Sequence, residues 1–210
     1  MLHRGIVSGM GEEVAEQALP ADGPVSPVGF VSPEDVVYQT HGAQPQVRVT
    51  DLAGNDRVLD GLIAARGTSQ AAGLVSGQLS FSDDGSCWAV RRVSTDSDLW
   101  KTCDYSLGQF SPDGRYVVAG PAYLDGIGNS EIAVLLARTG ELVAHWQRPR
   151  DSSGFLTQSV WEDSTNLVTT WFEDGVWHLL RLNVSGEITE ALEPVWADMV
   201  ETPWTFLPRP

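Results

Sequence analysis

The stretch GQFSPDGRYVVAG, Gly108–Gly120, constrains the fold more than any other part of the chain. In Ser111-Pro112-Asp113-Gly114, proline presets φ, aspartate can hydrogen-bond its own backbone, and glycine accepts a positive φ. These four residues specify a tight turn, and the β-prone LGQF and RYVVAG on either side make it a strand, a turn and a strand. The pattern returns. VGFVSPEDVVYQT (Val28–Thr40) sets Ser32-Pro33-Glu34-Asp35 after Phe30, and LSFSDDGSCWAVRR (Leu79–Arg92) sets Ser82-Asp83-Asp84-Gly85 after Phe81. SVWEDSTNLVTTW (Ser159–Trp171) sets the looser Glu162-Asp163-Ser164 after Trp161. A second, glycine-containing turn recurs at Asp51–Gly54, Arg138–Gly140 and Asn183–Gly186, each time between two strand-like runs. One unit therefore holds four short antiparallel strands.

Phe30, Phe81, Phe110 and Trp161 stand 51, 29 and 50 residues apart, which brackets the period of roughly 40–50 residues expected of propeller blades. The interval of 29 is too short for four strands, so a trimmed or imperfect blade is expected there. FSPDGRYVVAG followed by RTGELVAHW resembles the blade consensus of WD-repeat-like and TolB-type β-propellers, and the resemblance runs from Val28 to Leu192. It lacks the Gly-His pair and the closing Trp-Asp dipeptide of true WD repeats. The resemblance implies an all-β propeller of four-stranded antiparallel blades, four to five in number, in a ring that is complete or partial. One domain would span residues 1–210, with 1–24 as an outer strand of a preceding blade or an irregular segment and 202–210 as a closing strand. Propellers of six or seven blades need about 250 residues or more, so an N-terminal truncation is favoured over a small ring or one closed by a partner.

Charge narrows the partners. With 28 acidic and 13 basic residues the net charge is −15, so phosphate backbones are repelled and nucleic acid is not expected as a partner. Lys101 is the only lysine, a bias expected of a GC-rich genome. No apolar run is long enough to span a bilayer. The opening MLHRGIVSGMGEEVAEQALPADG is interrupted by Glu12, Glu13 and Glu16 and does not read as a signal peptide.

Cys87 and Cys103 lie in SCWAVRRVSTDSDLWKTCD, a hairpin turning near Ser94–Asp98. If the turn centres on Thr95, Cys87 stands opposite Cys103, Trp88 opposite Thr102 and Val90 opposite Trp100. Cross-strand neighbours sit about 4.5–5.5 Å apart, within reach of a disulfide. Such a bridge would contribute about 3 kcal/mol by constraining the unfolded chain. The alternative is two unrelated buried thiols. A bridge argues for an extracytoplasmic home and an export signal missing from the chain; without it the chain reads as cytoplasmic.

Eight tryptophans could form a sugar platform, but packing explains them better. In TNLVTTWFEDGVWHLLRL, the two-residue turn Asp174-Gly175 pairs Phe172 with Trp177 and Trp171 with His178. His178 then stacks beside Trp171 and is not a catalytic base. His3, His41 and His145 are scattered without metal-ligand spacing. GLVSG (Gly73–Gly77) only superficially resembles a nucleophile elbow, and His-Glu-x-x-His, Cys-x-x-Cys and P-loop patterns are absent. No catalytic, cofactor-binding or metal residue is assigned. The loop PAYLDGIGNSE (Pro121–Glu131) is longer than a hairpin needs and offers Tyr123, Asp125, Asn129 and Glu131 as candidate interaction residues. Its oxygens suit Ca²⁺ chemically, but their spacing does not match an EF-hand loop. The function expected is a non-catalytic module for protein–protein or ligand interaction. The alternatives are a propeller-type hydrolase or lyase with a central-channel site, and a degenerate propeller fragment.

Overall fold

A computed structural model describes residues 3–7, 13–18, 23–51, 53–123, 128–148 and 153–206. The chain builds four four-stranded antiparallel sheets, each a consecutive meander, as the turn pattern requires. Blade 1 comprises β3 (Val25–Phe30), β4 (Val36–Thr40), β5 (Val47–Thr50) and β6 (Asp56–Val58). Blade 2 comprises β7 (Ala64–Ser69), β8 (Leu74–Ser82), β9 (Gly85–Arg92) and β10 (Ser97–Thr102). Blade 3 comprises β11 (Tyr105–Phe110), β12 (Tyr116–Pro121), β13 (Glu131–Leu136) and β14 (Leu142–Gln147). Blade 4 comprises β15 (Phe155–Trp161), β16 (Asn166–Glu173), β17 (Val176–Asn183) and β18 (Ile188–Trp196). Ahead of them, β1 (His3–Val7) and β2 (Glu13–Ala18) pair with each other alone. Residues 202–206 carry no strand, and 207–210 lie outside the described residues.

The hydrophobic core lies between blades, as it must when each sheet is too thin to bury a face by itself. Val37, Val49, Leu59, Leu62 and Val75 fill the space between blades 1 and 2. Leu74, Trp88, Leu107, Val117 and Leu135 join blades 2 and 3, and Tyr116, Ile132, Trp146, Trp161 and Leu167 join blades 3 and 4. Contacts between the innermost strands follow chain order, β3 on β7, β7 on β11 and β11 on β15. Among the described residues the fold is an open, partial propeller of four four-stranded blades.

Every innermost strand breaks register with its neighbour at the same level: between Pro27 and Gly29, Ala65 and Gly67, Leu107 and Phe110, and Leu156 and Ser159. A bulge bends a strand and re-aims its side chains. Close approach accompanies it, because a Cβ on Gly67 would lie 2.6 Å from the carbonyl oxygen of Gly108, and one on Gly29 would lie 2.2 Å from Thr68 Oγ1. Only glycine lets these strands pack at that distance.

The second blade departs from the sequence expectation. It is a full four-stranded sheet and is not trimmed. Phe81 lies in β8, and Ser82–Gly85 turns β8 into β9, whereas the turns after Phe30, Phe110 and Trp161 join the first strand of a blade to its second. The equivalent place in blade 2 is Ser69, which pairs with Leu74 where Phe30 pairs with Val36. The interval of 29 residues therefore spans two different levels of the blade and implies no missing strand. The other pairings are as expected: Trp88 opposite Thr102, Val90 opposite Trp100, Trp171 opposite His178 and Phe172 opposite Trp177. Asp174 and Gly175 both take positive φ, 50° and 82°, as the two-residue turn demands. Cys87 and Cys103 form a disulfide with a Cα–Cα separation of 4.1 Å.

Candidate ligand-binding site

Antiparallel meanders sort their connections onto two faces. One face carries the turns between first and second strands and between third and fourth. The opposite face carries the turn between second and third strands and the crossing to the next blade. The two faces differ in how they are closed.

On the first face, each outer strand donates a hydrogen bond to the last turn of the following blade. The Arg57 guanidinium donates to the Val93 carbonyl, Trp100 Nε1 donates to Ala137 O at 2.9 Å, and Trp146 Nε1 donates to Gly186 O at 3.4 Å. Gly114 (φ 70°) sits against Ser69 and Ala72, leaving no room for a side chain. Ser76, the serine of GLVSG, is buried and donates to Gly108 O at 2.7 Å, so its hydroxyl links two blades.

On the second face, two adjoining cavities open beside the innermost strands. One, of about 400 Å³, is bordered by Arg66, Gln78, Phe81, Asp83, Ser106 and Tyr123 among others. The other, of about 350 Å³, is bordered by Arg66, Ser106, Gly120, Asn129, Thr157 and Ser159 among others. Both volumes lie in the range that takes a small ligand or part of a peptide. Arg66 and Ser106 belong to both walls. Arg66 occupies the bulge of β7, which explains why its side chain can reach the cavity at all.

The surroundings of Arg66 are built with care for rigidity. Its guanidinium carbon lies 4.7 Å from the centroid of the Trp88 ring, a cation–π arrangement. Trp88 is buried, and its Nε1 donates to Ser86 Oγ at 2.8 Å. Ser86 Oγ in turn donates to Ala122 O at 3.0 Å, on blade 3. The disulfide lies next in sequence to Trp88 and ties the ends of β9 and β10 at this same face. Arg66 remains open to solvent, yet the cavity walls remove enough water to lower its pKa from the ordinary arginine value. Among the described residues no carboxylate pairs with it and no hydrogen bond occupies its five N–H groups. Arg48, Arg91 and Arg181, by contrast, are paired with Asp56, Asp98 and Glu162.

The residues expected to form an interaction loop do not gather in one place. Tyr123 is exposed and borders the first cavity. Asn129 borders the second, where its N–H and carbonyl form a two-bond bridge to Leu156 on β15, each bond 2.8 Å. Glu131 accepts a hydrogen bond from His145 at 2.9 Å on the neighbouring strand. Asp125 lies outside the described residues. Sequence reasoning missed Arg66, which sits in IAARGTS without a motif; its only advance signal was a charged residue in a run of small ones.

The cavity walls carry few titratable side chains among the described residues. Asp83 is the sole carboxylate on either wall among the described residues, and no histidine borders them. His41 hydrogen-bonds Ser26, His145 pairs with Glu131 and His178 with Glu190 at 2.7 Å, each within its own blade. Among the described residues no group of three His, Cys, Asp or Glu side chains is placed to hold a metal ion. None of the helices there is long and apolar enough to cross a membrane.

Comparison with solved structures agrees with this architecture. The β-propeller domain of the Trilobed protease from Pyrococcus furiosus, described as having an open velcro topology, superposes with a TM-score of 0.57 at 15% identity, covering 78% of this chain and 56% of that one. Pyrococcus horikoshii acylaminoacyl peptidase gives 0.54 at 15% identity, covering 77% and 31%, and Kluyveromyces marxianus Hsv2 gives 0.52 at 15%, covering 85% and 52%. The chain thus spans about half, or less, of the length of these structures, and the likeness is one of fold. No protein-family model and no curated protein sequence matches it.

Proposed function

We propose that this chain is a non-catalytic propeller module that binds a protein partner through a peptide segment. The contact would be made at the face bearing the turns between second and third strands. The observation that carries the reading is the pair of adjoining cavities around Arg66, bordered mostly by neutral side chains and open on the face that carries the turns between second and third strands. Tyr123 and Asn129 flank them and would contribute to the contact. The dispersal of the described histidines, each engaged within its own blade, favours binding over a hydrolase or lyase. The disulfide favours an oxidising, extracytoplasmic compartment. We read the blade type as WD-repeat-like or TolB-like, from FSPDGRYVVAG and RTGELVAHW.

Selection of random-sequence peptides on the immobilised chain tests this. The expected result is a ligand consensus whose binding weakens in Tyr123→Ser. Turnover of ester or peptide substrates that disappears in Ser106→Ala or Thr157→Val would overturn it in favour of an enzyme.

A further inference from the structure

Of the described residues that border both cavities, Arg66 is the one that carries a charge. The chain has 28 acidic side chains, so a shortage of carboxylates does not explain why this guanidinium lacks one among the described residues. Its guanidinium carbon sits over the Trp88 ring beside both cavities, and the ring itself is held by the hydrogen bonds through Ser86 to Ala122. A planar fork held in place, partly dehydrated and unpaired is a recognition element for a planar anion. Resting on the reading above, we propose that Arg66 is a specificity-determining residue that receives a carboxylate of the bound peptide, with Gln78 and Ser106 beside it to hydrogen-bond the adjoining backbone.

Charge decides between carboxylate and phosphate. The net charge of −15 repels an approaching dianion twice as strongly as a monoanion, and Asp83 stands on the same wall. One guanidinium neutralises one carboxylate. A cavity built for phosphate would need further cationic or backbone donors, and among the described residues the other bordering side chains are uncharged apart from Asp83. The carboxylate can come from a chain terminus or from an aspartate or glutamate side chain, and both present the same two oxygens.

The test uses the full chain, with the Arg66 Nε–H followed by NMR. Four probes are titrated: an N-acetylated glycine-serine peptide with a free C-terminus, the same peptide amidated, the amidated peptide with one internal glutamate, and inorganic phosphate. The proposal expects a saturable shift of the Arg66 signal with the free-acid or the glutamate peptide, and which of the two acts identifies the source. It also expects at least a ten-fold loss of affinity in Arg66→Gln and a partial loss in Arg66→Lys, which keeps the charge but not the fork. Arg66→Gln is checked for an unchanged melting temperature and far-ultraviolet circular dichroism, so that a folding defect is not mistaken for lost binding. Equal binding of the amidated, uncharged peptide, or tighter binding of phosphate, overturns the proposal. Peptide binding at this face that ignores Arg66→Gln also overturns it, while leaving the module reading intact. If no probe moves any signal on this face, both fall.

Discussion

The two faces of the propeller are made from the same strands and do opposite things. One is laced shut by Arg57, Trp100 and Trp146, each reaching the last turn of the following blade. The other is linked by backbone contacts between neighbouring blades, Ser86 to Ala122 and Asn129 to Leu156, and opens into cavities around an arginine that has no ion-pair partner among the described residues. The difference teaches that inter-blade stability and ligand access are separated along the strand direction. Substitutions on the two faces should therefore separate in what they change.

The largest effect is expected where both faces depend on one contact, the approach of β7 to β11. Gly67→Val places side-chain atoms where Gly108 O already lies 2.6 Å from the would-be Cβ. Loss of about 3 kcal/mol or more in urea unfolding is expected. A variant as stable as the parent would mean that the innermost strands do not pack this way.

Blade 1 supplies a pH-dependent control away from both faces. Tyr38 is almost fully buried and donates to Asp56 at 2.8 Å, and burial, then the Asp56 carboxylate, push its pKa up to about 12 from 10.0. A pKa raised by folding means stability that is complete below pH 10 and lost as pH climbs toward 12. The loss should be about 2–3 kcal/mol, and Tyr38→Phe should flatten the slope. With Lys101 the only lysine, little else titrates in that window except the other tyrosines, of which Tyr105 is also raised, first by burial. An unchanged slope in Tyr38→Phe would show that the phenol is not confined as described.

Smaller effects sharpen the contrast between faces. Trp100→Phe keeps most of the buried area but leaves Ala137 O without its donor. A cost of about 1 kcal/mol is expected, with peptide affinity unaltered. Arg66→Gln should do the reverse, changing stability by no more than about 0.5 kcal/mol while abolishing carboxylate recognition. If Trp100→Phe weakened binding as much as Arg66→Gln, the separation of roles would be wrong.

The sequence made the blade plan readable because its turns must be written in local chemistry. Pro112, Asp113 and Gly114 have few alternatives where the chain reverses, and the same holds for Asp174 and Gly175 between the paired aromatics of blade 4. Reading failed in blade 2 for a related reason. Its first turn, Gln70–Gly73, lacks proline and aspartate, and Ser69 stands where the other blades carry an aromatic; the strong signal SDDG belongs to the hairpin on the opposite face. A turn motif specifies a reversal and does not say which level of the blade it serves. Arg66 was hidden because its importance comes from a bulge, a stacking ring two strands away and a missing partner, none of which leaves a local pattern. The loop at 121–131 stands out in the sequence by its length, but Glu131 is engaged with His145 and only Tyr123 and Asn129 of the described candidates border the cavities.

The separation of faces is tested most directly by mapping backbone amide shifts across the whole chain while the free-acid or glutamate peptide is added. The account predicts saturable changes concentrated at Arg66, Gln78, Ser106, Tyr123 and Asn129, with the turns at Ser32–Asp35, Ser111–Gly114 and Asn183–Gly186 unmoved. Changes centred on those turns, with Arg66 and its neighbours silent, would contradict it.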